Sequence, residues 1–365
     1  METAVETNRK KKKRLSPVRL VIVIILLLIV LAILGFGGYT IVKMYRMRIG
    51  ATATVPKPTV APYAAPTPEP GVEVVATVDP DDLKVDIDDP LDPALINKDP
   101  IYVENAIDPD VINILVMGED SSGDSSTGRS DVMMIVSYNR ATNGIKAVSV
   151  LRDTWVYIPG RDTWNRVNTA YRYGGIGLAI NTINSNFGLD IQFYMLTDFE
   201  NLVGIVEELG GLDLTLTANE IEYYNNMSEN DVTIVPGDGG VCHLNGRQVL
   251  MHCRNRTLGN GDWSRTERQR AVMNAFYRRA LAEKDAASLT SLMYRLMDYV
   301  ETNLSPWQMI SIATSVVFGP RNGGMERASI PASGTWSYAY EGRMAVIHID
   351  LEANKEWLLG YLYGN

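Results

Sequence analysis

Seven arginines fall within four short stretches of a chain whose formal charge is −9. Gly118, Glu119 and Asp120 are followed by Gly128, Arg129, Ser130 and Asp131. Arg152, Asp153 and Thr154 come next, then Arg254, Asn255 and Arg256, and last the run 261–270 with Asp262, Arg265, Arg268, Gln269 and Arg270. Against an acidic background, arginine clustered beside aspartate is not general basicity. Guanidinium forks match phosphate oxygens in pairs, and neighbouring carboxylates can hold the Mg²⁺ that a diphosphate brings. The pattern therefore implies chemistry at a diphosphate, and it gives no reason to expect a nucleic-acid partner.

Each signal also has a plainer reading. Asp120 and Asp131 can simply satisfy turn and strand-end amides, and Arg152 with Asp153 can be an ordinary ion-paired loop. The five arginines of residues 254–270 can be a solvated stripe. Position argues for more. Asp120 lies at the end of a buried apolar strand, where open α/β sheets bind their ligands. The stretch 121–128 is rich in small donors suited to an oxyanion, although no Gly-Lys-Ser/Thr follows as in a P-loop. Arg254 and Arg256 alternate and face one way if extended. On a helix, Arg265, Arg268 and Gln269 share a face.

The elements that must position these residues are legible from periodicity. The apolar run 111–117 reads as a buried strand, with further strands over 131–138 and 145–151. Helices are expected over 177–187, 198–209 with Asp198 as cap, 244–252, 262–283, 287–301, 306–317 and 351–363. Strands at 191–196, 213–216, 232–235 and 343–349 complete the set. Alternating strands and helices predict an α/β fold: a three-layer α/β/α domain with a central mixed β-sheet over residues 111–365.

Ahead of that domain, residues 20–42 form a 23-residue run without a charged side chain. At about 1.5 Å per residue it reaches roughly 34 Å, enough to cross a hydrocarbon core of about 30 Å. It is longer than a signal-peptide core, and no small-residue cleavage site closes it. The basic run 9–14 within residues 1–19 predicts a cytoplasmic tail, one transmembrane helix and an extracellular remainder. Residues 43–110 carry eleven of the 17 prolines and read as an extended linker, with packing on the domain possible near 101–103. The only cysteines, Cys242 and Cys253, both lie on the outer side and predict a disulfide worth about 3 kcal/mol. Zinc binding with His243 and His252 is a weaker alternative, because no ligand spacing typical of zinc is present.

The order of these stretches resembles the LytR-CpsA-Psr proteins of Gram-positive cell envelopes. The resemblance is carried by NILVMGED at 113–120, GRSDVM at 128–133, SVLRDT at 149–154 and VNTAY at 167–171 with YGG at 173–175. ELGGLD at 208–213, LNGRQ at 244–248 and GDWSRTERQ at 261–269 add to it. It covers residues 111–279 and, more loosely, the remainder. Leu151 departs from a frequent proline and Glu119 from a small residue; neither removes a phosphate or metal ligand.

This resemblance implies a membrane-anchored phosphotransferase. Its donor would be a glycopolymer on a polyprenyl diphosphate carrier, and its acceptor the C6 hydroxyl of peptidoglycan N-acetylmuramic acid. Asp120 and Asp131 would hold Mg²⁺, while Arg129, Arg152, Arg254, Arg256, Arg265 and Gln269 would grip the diphosphate. Arg129 and Arg152 would stabilise transition-state charge, and Asp153 and Asp262 are the candidates for a base. The lipid tail would lie in an apolar tunnel between sheet and helices. Two other readings stay open: a non-catalytic protein that senses lipid-linked precursors, and a phosphatase or pyrophosphatase in which water replaces the sugar hydroxyl. Arg152, as a ligand-gripping guanidinium, is expected to stand largely unpaired.

Overall fold

Burial on both faces distinguishes the central strands, and two layers of helices explain it. The computed structural model describes residues 54–56, 99–103, 105–120, 129–227, 232–283, 285–320 and 324–364. Of 54–56, Val103, Asp120, Arg129 and Asp131, only the backbone is described. The basic tail, the proposed membrane span 20–42, most of the linker and the loop 121–128 lie outside the described residues. Among the described residues no helix is long and apolar enough to cross a membrane.

Two short strands, β1 (Thr54–Pro56) and β2 (Ile101–Val103), pair in parallel. Ile101 is fully buried in the domain core, so the chain packs on the domain well before residue 111. Asp99 accepts from Arg161 at 2.7 Å in a largely buried ion pair. The main sheet contains β3 (Val111–Asp120), β4 (Arg129–Asn139), β5 (Gly144–Val150), β8 (Phe193–Asp198), β11 (Glu301–Thr302) and β12 (Glu326–Ile330). Its order is β11-β8-β3-β4-β5-β12. β3 runs parallel to β8, β5 runs parallel to β12, and the remaining pairs are antiparallel, so the sheet is mixed as expected.

Side chains alternate along these strands. Leu115, Met117, Met133, Ile135 and Val148 face helices α1 (Thr169–Phe187) and α8 (Leu351–Tyr363) in one apolar cluster. The opposite face, with Ile114, Val116, Met134 and Val136, looks into a cavity roofed by other helices. These are α2 (Phe199–Glu208), α4 (Gly246–Arg254), α5 (Asp262–Leu281), α6 (Ala286–Leu296) and α7 (Pro306–Phe318). Three layers result.

Local chemistry sets the helix ends. Asp198 caps α2, accepting from the Asn201 amide at 2.7 Å, as its position predicts. Asn245 and Ser305 build capping boxes on α4 and α7 with Gln248 and Gln308. Helix α1 starts eight residues earlier than periodicity suggests and is kinked at Gly174 and Gly175, the latter with φ 64°. Past the kink, a Cβ on Gly177 would collide with the Asp99 carbonyl, so glycine permits the close approach of β2.

The strands expected at 213–216 and 343–349 are present, but the elements they pair with, and one whole hairpin, have no counterpart in the sequence reading. The hairpin β6 (Trp155–Ile158) and β7 (Thr163–Arg166) follows β5, and a pair β9 (Leu212–Thr215) and β10 (Val241–Leu244) frames helix α3 (Ala218–Asn225). A second hairpin, β13 (Trp336–Glu341) with β14 (Met344–Ile349), precedes α8. Residues 232–235, expected as a strand, form none.

The predicted disulfide is corrected. Cys242 and Cys253 are both free and buried. Cys242 sits on β10, and Cys253 lies in the last turn of α4, about 10 Å along the helix axis from its start. A disulfide needs Cα atoms within about 7 Å, and the helix between them works against that approach. Both thiols pack in one apolar cluster, where burial raises their pKa, that of Cys253 to about 12. Nor do the two histidines join them in a metal site. His243 bonds Asp213 at 2.7 Å, and His252 bonds the Tyr224 hydroxyl at 3.1 Å.

Candidate diphosphate site and its apolar cavity

Strand direction brings the proposed site residues to one end of the sheet. β3, β5 and β8 run the same way, so the chain after each emerges at a common edge, and antiparallel β4 begins there. Asp120 ends β3 opposite Arg129, which opens β4. Arg152 and Asp153 follow β5, and Asp198 ends β8. A register shift lies between Gly118 and Glu119: Gly118 pairs with Val132 and Glu119 with Ser130, leaving Asp131 as the extra residue of a bulge. Bulges re-aim the chain at such edges. The pairing thus sets two carboxylate-bearing positions and Arg129 at one corner, a donor set of the hard-oxygen kind that suits Mg²⁺. The side chains of Asp120, Arg129 and Asp131 lie outside the described residues.

Helix α5 supplies the other side. Its first residue, Asp262, holds Arg265 at 2.6 Å, one turn on, and Arg152 at 3.5 Å. Asp153 lies 3.5 Å from Arg152 and 3.4 Å from Arg166. The result is an alternating chain of charges: Arg265, Asp262, Arg152, Asp153, Arg166. Arg265 is only 3% exposed, and a guanidinium so deep in the protein requires a close carboxylate partner. Arg152 is therefore not unpaired, contrary to expectation; it stands between two carboxylates.

Arg254, Arg256, Arg265 and Gln269 all line the cavity on its polar side. Arg254 ends α4 and stacks over the Phe199 ring, its guanidinium carbon 4.8 Å from the centroid. Gln269 donates to the Cys253 carbonyl at 3.4 Å, joining α5 to the end of α4. Arg268, grouped with these by helical spacing, turns elsewhere. It is buried against Glu220 at 3.0 Å and donates to the carbonyls of Asn255 and Leu258. It thereby fixes the segment carrying Arg256.

Arg166 was not among the sequence candidates. It ends β7, bonds the Ala345 carbonyl at 2.6 Å and 3.0 Å, and fixes Asp153 from behind. A lone arginine on a short strand carries no local signal; only the hairpin's docking reveals it. Glu119, which departs from the family pattern, accepts from the Tyr171 hydroxyl at 3.2 Å. Burial first, and Glu119 second, raise the Tyr171 pKa, so its hydroxyl keeps the proton it donates.

Below the arginines the cavity encloses about 580 Å³. Its walls are Ile114, Val116, Met134 and Val136 of the sheet against Leu202, Ile205, Met273, Phe276 and Leu296 of the helices. Such a volume matches a sizeable organic ligand. An apolar cavity with arginines on its polar side suits an amphiphile with an anionic head and a hydrocarbon tail.

The LytR_cpsA_psr family description matches residues 90–355. A "Polyisoprenyl-teichoic acid--peptidoglycan teichoic acid transferase TagU" of Bacillus mycoides is 30% identical over 234 residues, which is 62% of this chain and 73% of that protein. Among solved structures, Bacillus subtilis TagV aligns with a TM-score of 0.59 at 24% identity, over 70% of this chain and 98% of that one. The LytR-CPS2A-psr family protein YwtF (TagT) with bound octaprenyl pyrophosphate lipid aligns at 0.53 and 22%, over 70% and 91%. These likenesses show a shared fold.

Proposed function

This chain belongs to the LytR-CpsA-Psr family, and from that premise we propose that it transfers a glycopolymer from a polyprenyl diphosphate carrier to the C6 hydroxyl of peptidoglycan N-acetylmuramic acid. The observation that carries the reading is the junction of four arginine and glutamine side chains with an apolar cavity of about 580 Å³. An isoprenoid tail fills the cavity, and its diphosphate meets Arg254, Arg256, Arg265 and Gln269 at the mouth. Arg152 faces the same head group from the β5 side.

In the reaction, the acceptor oxygen bonds to the phosphorus that carries the sugar, and the bond from that phosphorus to the bridging oxygen breaks. Polyprenyl phosphate leaves with the electron pair, and the hydroxyl proton passes to solvent or to a nearby carboxylate. Arg152 and Arg265 neutralise charge that grows on the phosphoryl and leaving oxygens. Asp153 and Asp262 hold those guanidiniums in place. Phosphoryl transfer proceeds largely through positioning and charge neutralisation, so their ion-pairing role is sufficient reason for their presence. Mg²⁺ held by Asp120 and Asp131 would add charge neutralisation at the diphosphate.

The test uses the full chain in lipid vesicles with a synthetic polyprenyl diphosphate glycan and purified peptidoglycan. Phosphodiester-linked glycan on the peptidoglycan and equimolar polyprenyl phosphate are the expected products. Free glycan phosphate alone would mean that water is the acceptor, and lipid binding without turnover would mean a sensor. Met134→Trp, which fills the cavity, should raise KM for a long-chain donor about tenfold while barely affecting a short-chain analogue. Equal effects on both would remove the cavity from the reading.

A further inference from the structure

A cluster of aromatic rings stands beside the charged site and does not belong to the cavity. Trp263 follows Asp262 in the first turn of α5, and Trp336 and Tyr338 lie on one face of β13. The two indole rings are 4.9 Å apart at 34°, and Tyr338 meets Trp336 edge-on at 5.0 Å. The Trp263 indole N–H donates to the Tyr338 hydroxyl at 3.0 Å, fixing the arrangement. Tyr338 is 40% exposed and Tyr340, next on the same face of the strand, 49%. Trp263 and Trp336 are half-buried, so the cluster is a braced group of rings whose outer edge, at Tyr338 and Tyr340, is open to solvent.

The hairpin that carries these rings is tied to the site's own residues. The Ile347 amide donates to the Asp153 carbonyl at 2.8 Å, and the Ala345 carbonyl accepts from Arg166. Trp263 and Arg265 are two positions apart on a helix, so they point roughly 200° apart about its axis. Arg265 lines the cavity; Trp263, Trp336 and Tyr338 do not. The rings therefore lie on the far side of the helix from the cavity, with Asp262 beside them.

We infer that Trp263, Trp336 and Tyr338 form a stacking subsite for the glycan strand of the acceptor. This rests on the transfer reading above. Flat aromatic faces pack against the C–H faces of pyranose rings while the sugar hydroxyls stay in water, and an acidic chain gives polyanions little attraction to such a face. Reaction geometry selects acceptor over donor. In an in-line displacement the leaving oxygen and the attacking oxygen are apical and opposite, while the donor sugar's oxygen is equatorial. The leaving polyprenyl phosphate points into the cavity, so the attacking hydroxyl arrives from the side away from it, where the rings stand.

Two measurements on the full chain test this. A soluble, uncrosslinked tetrasaccharide of alternating N-acetylglucosamine and N-acetylmuramic acid is titrated calorimetrically without donor. Binding that falls at least tenfold in Trp336→Ala and in Tyr338→Ala is expected, with Trp336→Phe close to the unaltered chain. In transfer assays the same alanine variants should raise the acceptor KM about tenfold, leaving the donor KM and the rate at saturating acceptor nearly unchanged. Melting temperature and octaprenyl diphosphate binding serve as folding controls; should Trp336→Ala fail them, the more exposed Tyr338→Ala decides. A donor KM that rises instead, or tetrasaccharide binding indifferent to these substitutions, overturns the assignment. Failure of the unaltered chain to transfer glycan, with tetrasaccharide binding intact, would overturn the transfer reading and leave the subsite standing.

Discussion

Arg152 lies 3.5 Å from each of two carboxylates, longer than a close ion pair. Contacts of that length leave a guanidinium room to turn toward a phosphate, and its removal strands neither carboxylate, because Asp262 keeps Arg265 and Asp153 keeps Arg166. Arg152→Ala should therefore lower turnover by about 10²–10³-fold, the range for loss of one transition-state charge donor, while the melting temperature moves by a few degrees at most. Arg152→Lys should recover little, since an ammonium keeps the charge but loses the planar fork. Polymer release and thermal melts on the same preparations check both points; full activity in the alanine variant, or inactivity explained by unfolding, would misplace the diphosphate. Much of this site was legible as sequence, because Arg152, Arg254, Arg256, Arg265 and Gln269, each a weak signal alone, fall in stretches whose order along the chain resembles one family. Arg166 was not, since its role arises from docking of a hairpin some 180 residues away. Arg268 was misgrouped, because helical spacing cannot tell which of two neighbouring faces meets the cavity and which meets Glu220.

At the scale of elements, helix α4 carries a titrating group inside the core. Burial lowers the His252 pKa to about 4; nearby Glu220 opposes the shift and Arg268 adds to it. In the unfolded chain histidine titrates near 6.5, so between those values the unfolded state binds the extra proton. The stability tied to neutral His252 is complete above about pH 6.5 and fades as pH falls toward 4, an effect on the order of 3 kcal/mol. His252→Gln should flatten this acid limb, leaving only the part due to carboxylates, in urea midpoints measured from about pH 7.5 to 4. An unaltered limb would place the charge-sensitive group elsewhere. The long elements were readable because their apolar period persists: 306–317 was expected and Pro306–Phe318 found, and the last helix, Leu351–Tyr363, has its expected bounds. The hairpins β6–β7 and β13–β14 were not, or only in part. Their strands are only four to six residues long, and in runs so short an apolar stretch such as 155–158 cannot be told by period from a turn of helix; of the four, only β14 was long and apolar enough to be expected, at 343–349. The disulfide expectation failed for a related reason: counting cysteines says nothing about a helix that keeps them apart.

For the molecule as a whole, the functional proposal requires the site to stand outside the cell, with the 23-residue apolar run as its tether. Protease added to intact protoplasts should degrade the domain and spare residues 1–19, seen with antibodies to each end. A domain that survives until the membrane is lysed would overturn the topology. The cavity wall is rich in thioethers. Seven of the chain's 15 methionines line it. Thioether side chains are unbranched and polarizable, so a wall built from them reshapes around hydrocarbon chains of different length and double-bond geometry without a matching mould. The same atoms are the ones that oxidants convert to sulfoxides, each placing a polar oxygen where the wall was greasy. A pocket adaptable in this way is thus also one that an oxidant small enough to enter can spoil, and it would lose its liking for isoprenoids while the strands and helices around it still held their shape.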